Sequence, residues 1–546
     1  METQTRDFEQ INQESKSKMI RGSIWMSVGS FASRLLGAVY IIPWYLWMGE
    51  NAKLANNLFT KGYNIYALFL MISTAGIPGA IAKQISHYNS LNEYKVSKQL
   101  FKRALMLMGI FGLACAGVMF FGAPILAAGN KDLIPTMRAL STAVLIFPIM
   151  SAFRGFFQGN HNMMPSAVSQ IVEQIARVFY MLTAAYVIMK VREGSYVTAV
   201  THSTFAAFIG ALAALGLLVW FYQKQMPKFA ALEASSVGKL EVSTNELLKE
   251  IVREAIPFII IGSAITIVKI FDQFTFEPLI HAFTNYNQTQ AEELFTLFSG
   301  NPDKLTMITI SIATSLAVTS LPLITESFTV KNYKGLAKQV SDNFQLFFFV
   351  MIPSTFGMIL LSEPLNTLFY SHDNLGASLL RQACYVGIVL GFYILVSTTL
   401  QGLYGNRRAI HFLVVGFVVK IILQVPMIYM FEVYGPLLSS AIAFLVSGFL
   451  TAREIYRLTH FNVSFTARRT LLMMILTLIM LLGAFIVRQV LYLFLSPASK
   501  GQSLVIVLVV GIVGAAIYGY LSLKVRLADK LLGNKMQGLR KRLNIK

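Results

Sequence analysis

Residues 470–493 have the sequence TLLMMILTLIMLLGAFIVRQVLYL, in which Arg488 is the single charged side chain. An α-helix of this length is about 36 Å long, which is enough to cross the roughly 30 Å of hydrocarbon in a bilayer. A segment in hydrocarbon must satisfy its own backbone hydrogen bonds, so a helix is the expected conformation. The stretch therefore predicts a transmembrane helix.

Comparable apolar runs recur along the whole chain of 546 residues, of which 55% are hydrophobic and only 13% charged. A soluble protein would have about a quarter of its residues charged. We therefore predict an all-α polytopic membrane protein with about fourteen transmembrane helices. The predicted spans are 22–47, 58–83, 104–128, 137–158, 165–189, 196–221, 254–280, 305–326, 342–362, 380–403, 409–431, 435–456, 470–493 and 502–522.

The basic residues are unevenly distributed between the loops of this scheme. Lys and Arg total 46 against 26 Asp and Glu, which gives a net charge of +20. They concentrate in both tails and in the even-numbered loops, for example at Lys95, Lys98, Lys331, Lys334 and Arg453. Loops rich in Lys and Arg stay on the cytoplasmic side. Both termini are therefore predicted to be cytoplasmic, and the positive charge does not call for a nucleic-acid partner.

Two halves of the chain resemble each other. Gly76-Ile77-Pro78 closes the second span and Ser320-Leu321-Pro322 closes the eighth. The fourth span ends with RGFFQGN at 154–160, and the tenth ends with QGLYGN at 401–406. Each half would start from the cytoplasm, so the repeat is parallel and its pseudo-axis lies along the membrane normal. We expect a substrate to lie between two six-helix bundles.

This repeat gives a predicted domain organisation. It comprises a cytoplasmic tail (1–21), an N-terminal six-helix bundle (22–221), a cytoplasmic linker (222–253), a C-terminal six-helix bundle (254–456), two further helices (457–522) and a basic cytoplasmic tail (523–546). In this register Glu173 falls opposite Lys420, and Arg177 falls opposite Gln424. The polar positions of the fifth and eleventh spans are thereby equivalent.

Ionisable residues inside a span are costly unless they have a partner or a polar cavity, so each indicates a function or an ion pair. Arg34 lies near the middle of the first span without an acidic residue within a turn. A guanidinium matches phosphate oxygens, so we predict that Arg34 is an anion ligand. An ion pair with a distant acid is the alternative.

Two helical pairs also need an interpretation. Glu173 and Arg177 lie four residues apart on one face, and Lys269 and Asp272 lie three apart, so each pair can neutralise itself. Each pair is either structural or part of a coupling switch. Lys420 lies mid-span with no local partner, which favours a position facing a cavity.

Lys61 and Arg154 lie near span ends, where their side chains can extend to the interface. The predicted substrate-binding residues are Arg34, Lys269, Lys420 and Arg177, and the predicted coupling or structural acids are Glu173 and Asp272. Four cations against two acids give a cationic cavity. The sequence therefore predicts an anionic substrate and argues against a pump for cationic drugs.

No catalytic, nucleotide-binding or metal-binding motif is present in the sequence, and Cys115 and Cys384 both lie within apolar runs. We therefore expect a transporter rather than an enzyme, without a cofactor or a disulfide. Transport would then draw on a coupling cation of unidentified type, on the membrane potential or on a partner protein.

Three stretches resemble the MurJ/YtgP/SpoVB branch of the multidrug/oligosaccharidyl-lipid/polysaccharide (MOP) exporter superfamily. They are SRLLG at 33–37, QGN at 158–160 and SQIVEQIARV at 169–178. The resemblance extends over essentially the whole chain. It implies a flippase for lipid II, an undecaprenyl-pyrophosphate-linked glycan, in the bacterial cytoplasmic membrane. It also implies an essential arginine at Arg34, and a groove for the lipid tail in the last two helices.

The chain departs from this pattern at several positions. Proteobacterial-type members carry a second arginine where this chain has Tyr40, and paired arginines where it has apolar residues near Leu70 and Met71. The anion site is therefore expected to be assembled differently, with Lys269 or Lys420 contributing. Three alternatives stay open: a flippase for another polyprenyl-pyrophosphate-linked polysaccharide, a cation-coupled multidrug exporter, and a scaffold that recruits cell-wall synthesis enzymes.

Overall fold

The computed structural model describes residues 36–37, 39–74, 76–236, 253, 255–318, 321–532 and 534–543. In these ranges the regular secondary structure is helical, with no strand, and turns and short irregular segments connect the helices. The predicted all-α fold is confirmed. The chain divides into two compact units, Met1–Phe271 and Asp272–Lys546.

The first unit contains seven labelled helices. They are α1 (Ile41–Met48), α2 (Ala52–Thr74), α3 (Ile77–Ser90), α4 (Tyr94–Phe121), α5 (Leu133–Gly159), α6 (Met164–Tyr186) and α7 (Tyr196–Ala234). Helix α8 (Ala264–Phe283) follows and contains the division between the units.

The remaining helices belong to the second unit. They are α9 (Gln288–Phe295), α10 (Asn301–Val318), α11 (Leu321–Thr329), α12 (Tyr333–Leu360), α13 (Ser362–Phe369), α14 (Asn374–Gly402), α15 (Asn406–Phe431), α16 (Gly435–Thr459), α17 (Val463–Tyr492), α18 (Lys500–Lys524), α19 (Leu527–Leu532) and α20 (Asn534–Arg542).

Ten of the described stretches are long and apolar enough to cross a membrane, or eleven when Ala255–Gly262 and α8, which meet at a bend of 44°, count as one span. Two of the ten, Ile41–Ser90 and Asn406–Thr459, each contain more than one labelled helix. Every predicted span after the first overlaps described helices, and the first overlaps them only near its end. The count of fourteen and the cytoplasmic termini stay predictions.

The second predicted span is broken at Gly76. Helix α2 ends at Thr74, and α3 begins at Ile77 with Pro78 in its first turn. Gly76 has φ +74°, and a Cβ there would lie 3.1 Å from the Cβ of Phe258. A left-handed conformation next to a close neighbour favours glycine.

The last long helices of the second unit are joined by an apolar core. Met473 and Met480 on α17 pack with Tyr518 on α18, Phe349 on α12 and Leu527 on α19. The Tyr518 hydroxyl donates a hydrogen bond to the Phe349 carbonyl at 3.0 Å. Helices α17 and α18 are therefore fixed to the rest of the second unit through α12.

Candidate functional site

The first candidate site, the Glu173 cluster, comprises Arg154, Ser169, Glu173 and Arg177. Glu173 Oε1 accepts a hydrogen bond from Arg177 Nη2 at 2.8 Å, and its Oε2 accepts one from Arg154 Nη2 at 2.9 Å. Arg154 Nε donates to the hydroxyl of Ser169 at 3.0 Å. Residues 169, 173 and 177 lie at helical spacing of four along α6, so one face of α6 receives Arg154 from α5.

The structure brings together the predicted pair of Glu173 and Arg177 and adds a second arginine to it. Arg154, whose side chain the sequence allowed to extend to the membrane interface, has its guanidinium against Glu173, with 14% of its side chain exposed. Sequence spacing could not identify this contact, since α5 and α6 are separate helices. The Glu173 cluster therefore has two guanidiniums for one carboxylate, and a net charge of +1.

The Glu173 cluster also has donors without acceptors. Among the residues that the structure describes, Arg177 Nε and the Tyr66 hydroxyl are buried and make no hydrogen bond. Tyr40, Tyr63 and Tyr66 lie near enough to Arg177 to influence its electrostatic environment. Buried donors without partners are uncommon and call for an explanation. An anionic group placed here would meet one net positive charge and two unused donors.

The second candidate site, the Lys420 cluster, comprises Asp272, Lys420, Gln424, Ser439 and Ser440. Lys420 Nζ donates to Asp272 Oδ1 at 2.6 Å, to the hydroxyls of Ser439 and Ser440 at 2.8 and 2.9 Å, and to the Pro436 carbonyl at 2.9 Å. Helices α8, α15 and α16 supply these groups. The ammonium is thus surrounded by oxygen atoms.

A second layer of hydrogen bonds fixes these oxygen atoms. Gln424 Nε2 donates to Asp272 Oδ1 at 2.9 Å and to the Thr275 hydroxyl at 3.0 Å. Gln424 Oε1 accepts from Ser439 at 2.9 Å. Gln424 lies one turn after Lys420 on α15. A single helix face therefore supplies both the ammonium and the amide that orients the Asp272 carboxylate.

The sequence favoured a position facing a cavity for Lys420, but the structure does not show one there. Its side chain is completely buried and is paired with an acid 148 residues away. The nearest acidic residues in sequence gave no indication of this pairing. Its predicted role in binding substrate stays a prediction, but the described geometry satisfies the ammonium without any ligand.

Of the two remaining predicted site residues, Lys269 and Arg34, only Lys269 lies within the described residues. Lys269 is half-buried on α8, one turn before Asp272. Arg34 lies outside the described residues. The residues that sequence reasoning missed are Arg154 and Ser169 in the Glu173 cluster, and Ser439 and Ser440 in the Lys420 cluster. For the three serines, a short polar side chain in an apolar helix was the available signal.

An apolar cavity of about 600 Å³, the C-terminal groove, lies within the second unit. Its walls come from α12, α13, α17, α18, α19 and α20. The small residues Gly357, Gly511 and Gly514 lie along it, as do Met480 and Leu365. Because its lining is almost entirely apolar, the C-terminal groove suits hydrocarbon rather than a charged group.

Comparison with solved structures identifies the fold. A structure described as lipid II flippase MurJ in an inward closed conformation matches with a TM-score of 0.58 and 14% identity, over 92% of this chain and 99% of that one. An inward-facing MATE family multidrug transporter of the MOP superfamily matches with a TM-score of 0.60 and 13% identity, over 78% and 96% of the two chains. The fold is that of a MOP superfamily transporter.

Sequence comparison then gives the family. Residues 19–328 match the model of the polysaccharide biosynthesis protein family. The chain is also 34% identical over 539 residues to a protein named lipid II flippase MurJ in Bacillus subtilis (strain 168), a match that covers 96% of this chain and 98% of that one. The chain belongs to the polysaccharide biosynthesis protein family, in its MurJ branch, and is a multi-pass protein of the cytoplasmic membrane.

Proposed function

We propose that this protein translocates lipid II, the undecaprenyl-pyrophosphate-linked peptidoglycan precursor, across the cytoplasmic membrane by alternating access. The observation that carries the proposal is the 34% identity to the Bacillus subtilis flippase over nearly the full length of both chains. The net positive charge of the Glu173 cluster supports it, since the headgroup of the substrate is anionic.

Arg177 is our principal candidate for contact with the pyrophosphate, together with Arg34 and Lys269. Tyr40, which stands where the family resemblance implies a second arginine, lies in the electrostatic environment of Arg177. This proximity supports Arg177 as the source of the positive charge that position 40 lacks. A guanidinium binds phosphate oxygens through two parallel hydrogen bonds, which gives orientation as well as attraction.

We assign the C-terminal groove to the polyprenyl tail. The hydrocarbon tail must stay out of water while the headgroup crosses the membrane. Surrounding lipid or an apolar groove on the protein can both provide this environment. The apolar walls and the cavity volume of about 600 Å³ support this assignment for part of the chain length of such a lipid.

The energy source that we favour is the membrane potential. Each elementary charge that crosses 100 mV changes in free energy by about 2.3 kcal/mol. The cytoplasm is negative, so outward movement of an anionic pyrophosphate is favourable without ATP. A coupling cation is the alternative, with Glu173 and Asp272 as its candidate ligands. Membrane lipids, and cell-wall synthesis enzymes that supply or consume the substrate, are the expected partners.

The test is complementation of a strain depleted of its lipid II flippases. Lipid II on the outer face is measured by its cleavage with an enzyme added outside intact spheroplasts. Wild-type protein should restore cleavage, Arg177→Ala should reduce it at least tenfold, and Arg192→Ala, which changes an exposed arginine of the same unit, should not. If lipid II reaches the outer face equally well without this protein, the substrate is another polyprenyl-pyrophosphate-linked glycan.

A further inference from the structure

We propose that Glu173 is an internal counter-anion, whose place on Arg177 and Arg154 is taken by a phosphate group of the substrate. The inference rests on the proposed function and deepens it. In the empty transporter the carboxylate neutralises one of two guanidiniums. In the loaded transporter the phosphate oxygens accept from the arginines, and Glu173 is released from them.

The geometry of Glu173 fits an anion that a phosphate group could replace. The two oxygens of Glu173 accept separately from Arg177 at 2.8 Å and from Arg154 at 2.9 Å. The carboxylate bridges two guanidiniums through separate oxygens. A phosphate in the same position could bridge the same guanidiniums with two of its oxygens. The same donors can serve both anions, so the two anions compete.

The unused donors favour the phosphate in this competition. Arg177 Nε and the Tyr66 hydroxyl are buried without a hydrogen-bond partner among the described residues. A carboxylate has two oxygens, and both are already used by Arg177 and Arg154. A phosphate group has further oxygens, which can accept from the donors that Glu173 leaves unsatisfied. Leaving a buried donor unsatisfied is costly, so the larger anion gains what the carboxylate cannot.

Exposure distinguishes this pair from the one in the second unit. The side chains of Arg154, Glu173 and Arg177 are 12–16% exposed, whereas Lys420 is completely enclosed and has acceptors on all its protons. The Glu173 cluster is therefore partly exposed, as an exchange of anions requires. The Lys420 cluster is closed and electrically neutral, so it offers no comparable exchange.

The exchange has a consequence for the empty transporter. A buried arginine without a counter-ion is unfavourable, so a site built from arginines alone would be destabilised whenever it released its substrate. With Glu173 present, the guanidiniums are paired in both states. The carboxylate thereby weakens substrate binding, and release on the outer side becomes easier.

The experiment measures binding of inorganic pyrophosphate to the purified full-length protein in detergent, by calorimetry or thermal shift. Glu173→Gln should bind pyrophosphate on the order of tenfold more tightly than wild type, because the competing anion is gone. Arg177→Gln and the double variant Glu173→Gln/Arg177→Gln should both lose binding. Glu193→Gln makes the same change at an exposed position and should match wild type.

An affinity of Glu173→Gln that is equal to or below that of wild type, in protein that elutes as a folded monodisperse species, overturns the inference. So does an absence of pyrophosphate binding in both proteins. Glu173→Asp, whose shorter side chain cannot bridge both arginines, provides a second variant with an expected intermediate affinity. If neither variant folds, Glu173 is a structural residue and the inference fails.

These outcomes are separate from those of the complementation test. Restored lipid II export together with unchanged pyrophosphate affinity in Glu173→Gln rejects the counter-anion and leaves the proposed function standing. Tighter binding in Glu173→Gln, in a strain where lipid II export does not depend on this protein, rejects lipid II and retains the exchange for another pyrophosphate-linked lipid.

Discussion

Replacing Lys420 with Met removes the buried ammonium and keeps most of the side-chain volume. In the structure this leaves the carboxylate of Asp272 inside the protein, with Gln424 at 2.9 Å and Ser440 at 3.4 Å as its remaining donors. The Pro436 carbonyl and the Ser439 hydroxyl also lose a donor. Removing one partner of a buried ion pair costs about 3–5 kcal/mol. We expect Lys420→Met to lie in that range.

The double variant Lys420→Met/Asp272→Asn separates the ion pair from the packing. It removes both charges, and the amide at position 272 can still accept from Gln424, so its cost should be about 1–2 kcal/mol. With Asp272→Asn measured as the second single variant, the coupling energy between the two positions should be on the order of 2 kcal/mol or more. Two structural changes that acted independently would give a coupling near zero.

The assay is thermal unfolding of the purified protein in detergent. At about 2 °C per kcal/mol for a large domain, Lys420→Met should lower Tm by roughly 6–10 °C. Lys334→Met removes an exposed lysine and should leave Tm unchanged. A decrease below about 2 °C for Lys420→Met, or additive effects in the double variant, would refute the structural role. Unchanged stability with lost transport would instead support the predicted substrate contact.

Three further predictions follow from other features. Gly76→Ala should lower Tm by a few degrees, because a residue with a side chain is strained at the backbone angle φ +74°. Gly511→Phe places a ring in the C-terminal groove, where a Cβ meets no atom within 4 Å. It should therefore reduce lipid II export in the spheroplast assay and leave Tm unchanged. The control is Gly216→Phe, at a similarly open position outside the C-terminal groove. Arg154→Ala should destabilise the protein by about 1–3 kcal/mol by unfolding measurements, since Glu173 keeps Arg177 as its second partner.

The fold follows from the sequence because hydrophobic length is a local property. A run such as 470–493 must be helical in hydrocarbon whatever its neighbours are, and the structure has α17 over Val463–Tyr492. The ends of helices are less predictable. The structure continues α7 to Ala234, beyond the predicted span 196–221, because a polar segment can prolong a helix outside the membrane.

The candidate sites were predictable only where partners share a helix. Glu173 and Arg177 are four residues apart, so their contact follows from helix geometry alone. Asp272 and Lys420 were each singled out as a buried charge, but nothing in the sequence says that α8 and α15 bring them together. Arg154 shows the same limit, since its position near a span end was compatible with the interface and with Glu173.

The internal repeat places Glu173 opposite Lys420, and the two charges have opposite signs. Each is neutralised within its own unit, by arginines in the first case and by Asp272 in the second. The difference lies in what neutralisation leaves over: the Glu173 cluster keeps a positive charge, partial exposure and unused donors, whereas the Lys420 cluster keeps none of these. We therefore propose that one repeated position serves as an anion site in the first unit, whereas in the second unit it connects helices. A substrate that carries its charge at one end needs a single such site, and the asymmetry between the halves meets that need.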